Sequence, residues 1–172
     1  LAELGKMITP GVTTNALNKR ADEMIRDNGA VPAFLGYHGF PKSICTSVNE
    51  QVVHGIPSEY SLKEGDIVSI DCGTILEGFY GDSAYTFTVG EVKNEIKQLL
   101  KTTKECLILG VEHALHGNRI GDMGYHIQHH AENHGFSVVR ELVGHGIGRK
   151  MHEAPEVPNY GKRGKGVQLK KG

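Results

Sequence analysis

Two runs rich in β-branched and aromatic residues, Ile67 to Ile75 and Phe79 to Val89, are separated only by a short break at Glu77-Gly78. That spacing constrains the fold more than any other feature, because so short a connection can only join antiparallel strands. Side chains along a strand alternate between faces, so Val68, Ile70 and Cys72 share one face and Ser69, Asp71 and Gly73 the other. With a two-residue loop at Leu76-Glu77, Asp71 stands opposite Asp82. A longer loop including Gly78 shifts the register by one, and a bulge restores it. Either way two carboxylates approach each other. Like charges held together repel unless a proton or a cation lies between them. Two readings stay open here: a solvated acidic pair at a hairpin, or part of a divalent-metal site. Phe79, Tyr80 and Tyr85 around Asp82 favour the second.

Bulk properties narrow the classes. The 172 residues suffice for one domain with a substantial core, and a formal net charge of −1 gives no global field for nucleic acid. The basic stretch of Lys162, Arg163, Lys165, Lys170 and Lys171 reads as a solvated loop. Cys45, Cys72 and Cys106 are far apart and form no C-x-x-C pair, so neither a zinc knuckle nor a disulfide framework is indicated, and a reducing compartment fits best. No apolar run approaches the ~18 residues of a membrane span, and no secretory leader pattern opens the chain. A soluble, cytoplasmic chain is expected. Leu1 to Ile8 reads as the end of a helix already under way, and Val167 to Gly172 as a turn leading towards a strand. Both ends therefore suggest a piece of a longer protein.

Thr13 or Thr14 caps a helix expected to run to about Asn28 and stop at Gly29. Ala33 to Phe40 reads as a pocket-lining loop, and Ser43 to Val48 as a strand. A helix is expected from Val92 to about His116, with Ile96, Leu99, Leu100, Leu107, Val111 and Leu115 as its apolar face. A second runs from about Asp122 to Asn133, and a strand over Phe136–Leu142. His126, His129, His130 and His134 read as surface residues without function, while His113 and His116 complement the preceding helix dipole. His145 is different, lying in the glycine-rich run Gly144-His145-Gly146-Ile147-Gly148, where close approach of other atoms is possible. His152 follows seven residues later, a spacing unlike the H-E-x-x-H zinc helix. No G-x-S-x-G elbow or P-loop is present. No Asp or Glu follows Glu156, so Asp71, Asp82 and His145 form an incomplete ligand set.

In order and spacing, four segments resemble type I methionine aminopeptidase. They are Asn49-Glu50-Gln51-Val52-Val53-His54-Gly55-Ile56-Pro57, the pair Asp71 and Asp82, the Gly144–Gly148 run, and His152-Glu153-Ala154-Pro155. The resemblance covers essentially the whole chain. It implies the α/β (α+β type) pita-bread fold, a curved antiparallel sheet backed by helices, with residues 1–172 as a single, incomplete catalytic domain. By position, Asp71 resembles a chelating ligand of one metal, Asp82 a carboxylate bridging two, and His145 an imidazole ligand. His54 and His152 resemble catalytic groups touching the scissile amide and carbonyl. Phe34, Tyr37, Phe40, Cys45 and Met151 fall where the family builds its methionine pocket, Met151 standing where an aromatic is common.

The implied reaction is metal-assisted hydrolysis releasing the initiator methionine of nascent polypeptides. The implied cofactors are two divalent ions (Co, Mn, Fe or Zn) and a monovalent cation near Asn49. The resemblance further implies a monomer, with the ribosome as a candidate partner and neither nucleic acid nor membrane. The family completes its site with two glutamates that would fall beyond Gly172, so the chain alone is expected to be inactive. The alternatives are an aminopeptidase P or creatinase-like relative, separable by Xaa-Pro cleavage, and a non-catalytic peptide-binding module.

Overall fold

The expected hairpin forms, and in the computed structural model, which describes residues 1–171, it organises the first of two compact units, Leu1–Lys93 with Ile147–Met151. Helices α1 (Ala2–Gly5) and α2 (Thr14–Asp27) precede strands β1 (Val31–Pro32), β2 (Cys45–Val48), β3 (Ile67–Leu76) and β4 (Phe79–Thr88). All pairings are antiparallel, and β3 is central: it pairs with β4, with β2 over Val68–Asp71 and with β1 at Thr74–Ile75. The Thr13 side chain accepts a hydrogen bond from the Ala16 backbone N–H at 3.1 Å, satisfying a donor that the first helical turn leaves unpaired. Past the far end of α2, Gly29 takes up a left-handed conformation at φ 75° that other residues resist.

Leu17 and Ala21 from α2 meet Val68 and Ile70 from β3 in a core completed by Leu4, Ile44, Leu62 and Val89. Each large aliphatic buried there stabilises the fold by about 1.5–3 kcal/mol relative to exposure. One face of β3 is thereby committed to the core, as the alternation predicts. Its opposite face carries Asp71.

The hairpin register differs from the expected one. Leu76 pairs with Phe79, so the turn is Glu77-Gly78, with φ 52° and 79°. Two consecutive left-handed residues are what a two-residue turn of this hand demands, and Gly78 fits its second position. Centring the turn there places Asp71 opposite Ala84 and Asp82 opposite Gly73. The two carboxylates are diagonal neighbours on one face rather than directly opposed.

The second unit, Asn94–Gly146 with His152–Gly172, holds helices α3 (Asn94–His113) and α4 (Ile120–Asn133) and the hairpin β5 (Gly144–Gly146) and β6 (Glu153–Val157). Here the expected apolar face of α3 holds only in part: Ile96, Leu99 and Leu100 are half-buried, but its later half is corrected. Thr102, Cys106 and Gly110 are its buried residues, whereas Leu107, Val111 and Leu115 are 66%, 65% and 60% exposed. A Cβ on Gly110 would come within 3.0 Å of Ile127 Cδ1, so small residues set the close approach to α4. The strand expected over Phe136–Leu142 does not form either. Among the described residues it pairs with no other segment, and alternation without a ladder partner makes no strand. No helix among the described residues is long and apolar enough to cross a membrane.

Candidate metal centre

The diagonal placement on β3 and β4 brings the Asp71 and Asp82 carboxyl groups into a direct hydrogen bond. Two carboxylates can share a hydrogen bond only through a proton. Burial comes first among the causes that raise Asp71 to about 7, followed by the hydrogen bond with Asp82 and the charge of Asp82. A hydrogen bond from the Cys72 backbone N–H opposes the rise but does not overcome it. The pair is thus two oxygen donors on adjacent, register-locked strands, with a proton standing where a cation would satisfy both. That donor set fits a divalent metal.

Beside the pair lies an apolar cluster built in the same unit. Ala33, Phe34, Cys45 and Met151 form its buried centre, with Tyr37, Phe40, Ile75 and Tyr80 packed around them. All five residues expected to line a pocket therefore meet. The β2–β3 ladder sets Cys45 directly across from Asp71, which ties the cluster to the carboxylates. Burial, and then the charges of Asp71 and Asp82, push the Cys45 thiol up to about 12, so it stays protonated and behaves as a small apolar group. Gly73 makes the packing possible, since any Cβ there would collide with the Phe34 ring. Met151 reaches the cluster because its segment is pinned to β4. The Tyr80 N–H donates to the Gly148 carbonyl at 2.7 Å, and the Arg149 guanidinium lies 4.5 Å over the Phe79 ring.

His54 is exposed, at φ 59°, and is held beside β2 through its neighbour. Gly55 accepts from the Thr46 N–H at 2.8 Å and donates to Ser47 Oγ at 3.1 Å. Asn49, the expected neighbour of a monovalent cation, spends its side chain on the loop: it donates to Asp66 at 2.9 Å and accepts from the Ile67 N–H at 3.0 Å.

In the second unit, the β5–β6 hairpin brings His145 and His152 within 4.2 Å, ring centre to ring centre. A hairpin thus does what helical spacing cannot. His145 Nδ1 lies 2.9 Å from the Gly146 carbonyl, which can only accept, so Nε2 of the neutral ring carries the lone pair.

Of the helix histidines, His129 and His134 are exposed as expected, whereas His126 and His130 are half-buried. His126 stacks on His113 at 3.6 Å, and His130 Nε2 lies 2.9 Å from Glu105 Oε2. The i, i+4 spacing of His130 and His134 was visible in the sequence; the partner Glu105 comes from another helix and left no linear signal.

Comparison with known proteins gives a consistent picture. The profile of metallopeptidase family M24 matches residues 1–172. A methionine aminopeptidase of Clostridium acetobutylicum is 54% identical over 167 residues, covering 96% of this chain and 67% of the relative. The crystal structure of methionine aminopeptidase from Rickettsia prowazekii superposes with a TM-score of 0.98 at 47% identity, over 99% of this chain and 69% of that one. An Xaa-Pro dipeptidase from Bacillus anthracis shares the fold, with a TM-score of 0.76 at 23% identity over 92% of this chain and 43% of that one. The chain spans about two thirds of the length of the methionine aminopeptidases it matches.

Proposed function

The chain belongs to metallopeptidase family M24 and has its pita-bread fold, and from that premise we propose that it serves metal-dependent removal of N-terminal methionine from polypeptides. One observation carries the reading: a proton-sharing carboxylate pair on β3 and β4 adjoins an apolar cluster whose Cys45, on β2, stands directly across from Asp71. Relatives about half identical over nearly the whole chain bear the name methionine aminopeptidase, which supports the choice of substrate.

Asp71 and Asp82 would hold divalent metal, with His145 as a further ligand by its correspondence to the family motif. Cobalt, manganese, iron and zinc all suit a set of carboxylate and imidazole donors. Such ions supply Lewis-acid polarisation of a carbonyl and acidify water. The chain's own residues do the rest. Phe34, Tyr37, Phe40, Cys45 and Met151 give a thioether side chain an apolar berth; burying it favours binding by about 1.5–3 kcal/mol. Cys45, held as a thiol, contributes contact rather than nucleophilicity. His54 is assigned to the scissile amide and His152 to the carbonyl oxygen, where a hydrogen bond gains strength as negative charge develops. A monovalent cation near Asn49 is a structural addition to the same reading. The substrate is the amino terminus of a nascent chain, met in the cytoplasm by a monomer, with the ribosome as the partner that presents it.

The test is peptide cleavage by the gene product with added Mn²⁺ or Co²⁺. Release of free methionine from a Met-Ala peptide, abolished by chelation, is expected. Cleavage of Xaa-Pro peptides in its place would overturn the substrate assignment.

A further inference from the structure

We propose that Glu105 of α3, His130 of α4 and His134, which caps the C-terminus of α4, form a separate binding site for a borderline divalent metal, with Zn²⁺ as the fitting ion. One ligand atom from each residue lies within 4.8 Å of those from the other two. His134 follows His130 by four residues, about one helical turn, at the end of α4, and their ring centres are 4.4 Å apart.

The hydrogen bonds around the rings select this use. His134 Nδ1 lies 2.8 Å from the His130 carbonyl, so Nδ1 donates and Nε2 presents its lone pair. A ring whose second nitrogen donates to a backbone carbonyl is the usual form of a metal-binding histidine. His130 Nε2 and Glu105 Oε2 are 2.9 Å apart and joined by a proton. Tetrahedral zinc, with bonds of about 2.0–2.2 Å, sets neighbouring ligand atoms about 3.3–3.5 Å apart. That contact therefore opens by about half an ångström, and the metal takes the proton's place. His130 binds as its Nδ1–H tautomer, so a neutral ring enters without net loss of a proton.

Two nitrogens and one oxygen leave a fourth position for water. His134 is exposed and Glu105 and His130 are half-buried, at 35% and 24% side-chain exposure, which gives water access to it. Lys101 Nζ stands 3.9 Å from Glu105 Oε1 and is the competitor that a bound ion displaces. The two histidines and a carboxylate are a borderline donor set, unlike the oxygen pair of Asp71 and Asp82.

Equilibrium dialysis of the whole chain against Zn²⁺, with metal analysis, tests the site. His134→Ala at the end of α4 and Glu105→Gln on α3 change an exposed and a half-buried side chain outside the cores, and circular dichroism checks that the fold is intact. Each is expected to weaken one equivalent of Zn²⁺ by at least the ~10–100-fold that outer hydrogen-bond partners alone are worth. The double variant Asp71→Asn/Asp82→Asn retains that equivalent. Undiminished Zn²⁺ uptake in both His134→Ala and Glu105→Gln, or its loss only in the aspartate double variant, would overturn the proposal.

Discussion

The central strand and the long helix obey opposite rules for where apolar residues go. On β3, Val68 and Ile70 are fully buried, and the alternating face that lacks them carries the acidic side chain. Late on α3, the apolar residues Leu107 and Val111 stand in solvent, while Thr102, Cys106 and Gly110 of the same helix are covered. The difference comes from what each element packs against. A strand fixed in register between two others has one choice of inner face, and a one-residue slip would expose the whole set. A helix can turn about its axis, and here close approach to α4 selects the small residues at the contact.

That contrast predicts a steep gradient of mutational effects. Ile70→Ala, which empties a site with no exposure, is expected to cost about 2–5 kcal/mol in urea unfolding. A loss below 1 kcal/mol would show that the β3 face is not the core. A smaller, pH-dependent effect resides on the other side of the same strand. Folded Asp71 keeps its proton up to about pH 7 against an ordinary 3.8, because of burial and then Asp82, so folding takes up a proton between those values. The metal-free chain therefore holds this contribution in full below about 3.8 and loses it as pH rises through about 7. Asp71→Asn should flatten that slope in unfolding curves taken across the window, and an unchanged slope would place the titration elsewhere. Smallest of all, Leu107→Ala on the exposed stripe is expected to change stability by no more than about 0.5 kcal/mol, a value that the same urea curves would resolve.

What could be read from the sequence follows the same divide. The hairpin, the capped α2 and the inner face of β3 were legible because short-range rules fix them: turn chemistry, an N-cap oxygen, a period of two. The five residues expected to line a pocket were named by resemblance, and their meeting in one cluster depends on Met151 being carried to β4 by the Tyr80–Gly148 bond, which no linear pattern reveals. The register was misjudged by a turn centred one residue early, since Glu77 gives no sign that it accepts a left-handed backbone. In the second unit, contacts between helices decide burial. There periodicity selected Leu107 and Val111 as core, and the histidines of α4 were passed over because Glu105 lies on a different element.

The account turns on the Asp71–Asp82 pair being a cation site rather than an acidic pair that only shares a proton. Calorimetric titration of Mn²⁺, an oxygen-preferring ion, into the chain and into Asp82→Asn measures this directly. Saturable uptake by the unmodified chain, lost in Asp82→Asn, is the expected result; no uptake, or equal uptake by both, would contradict it.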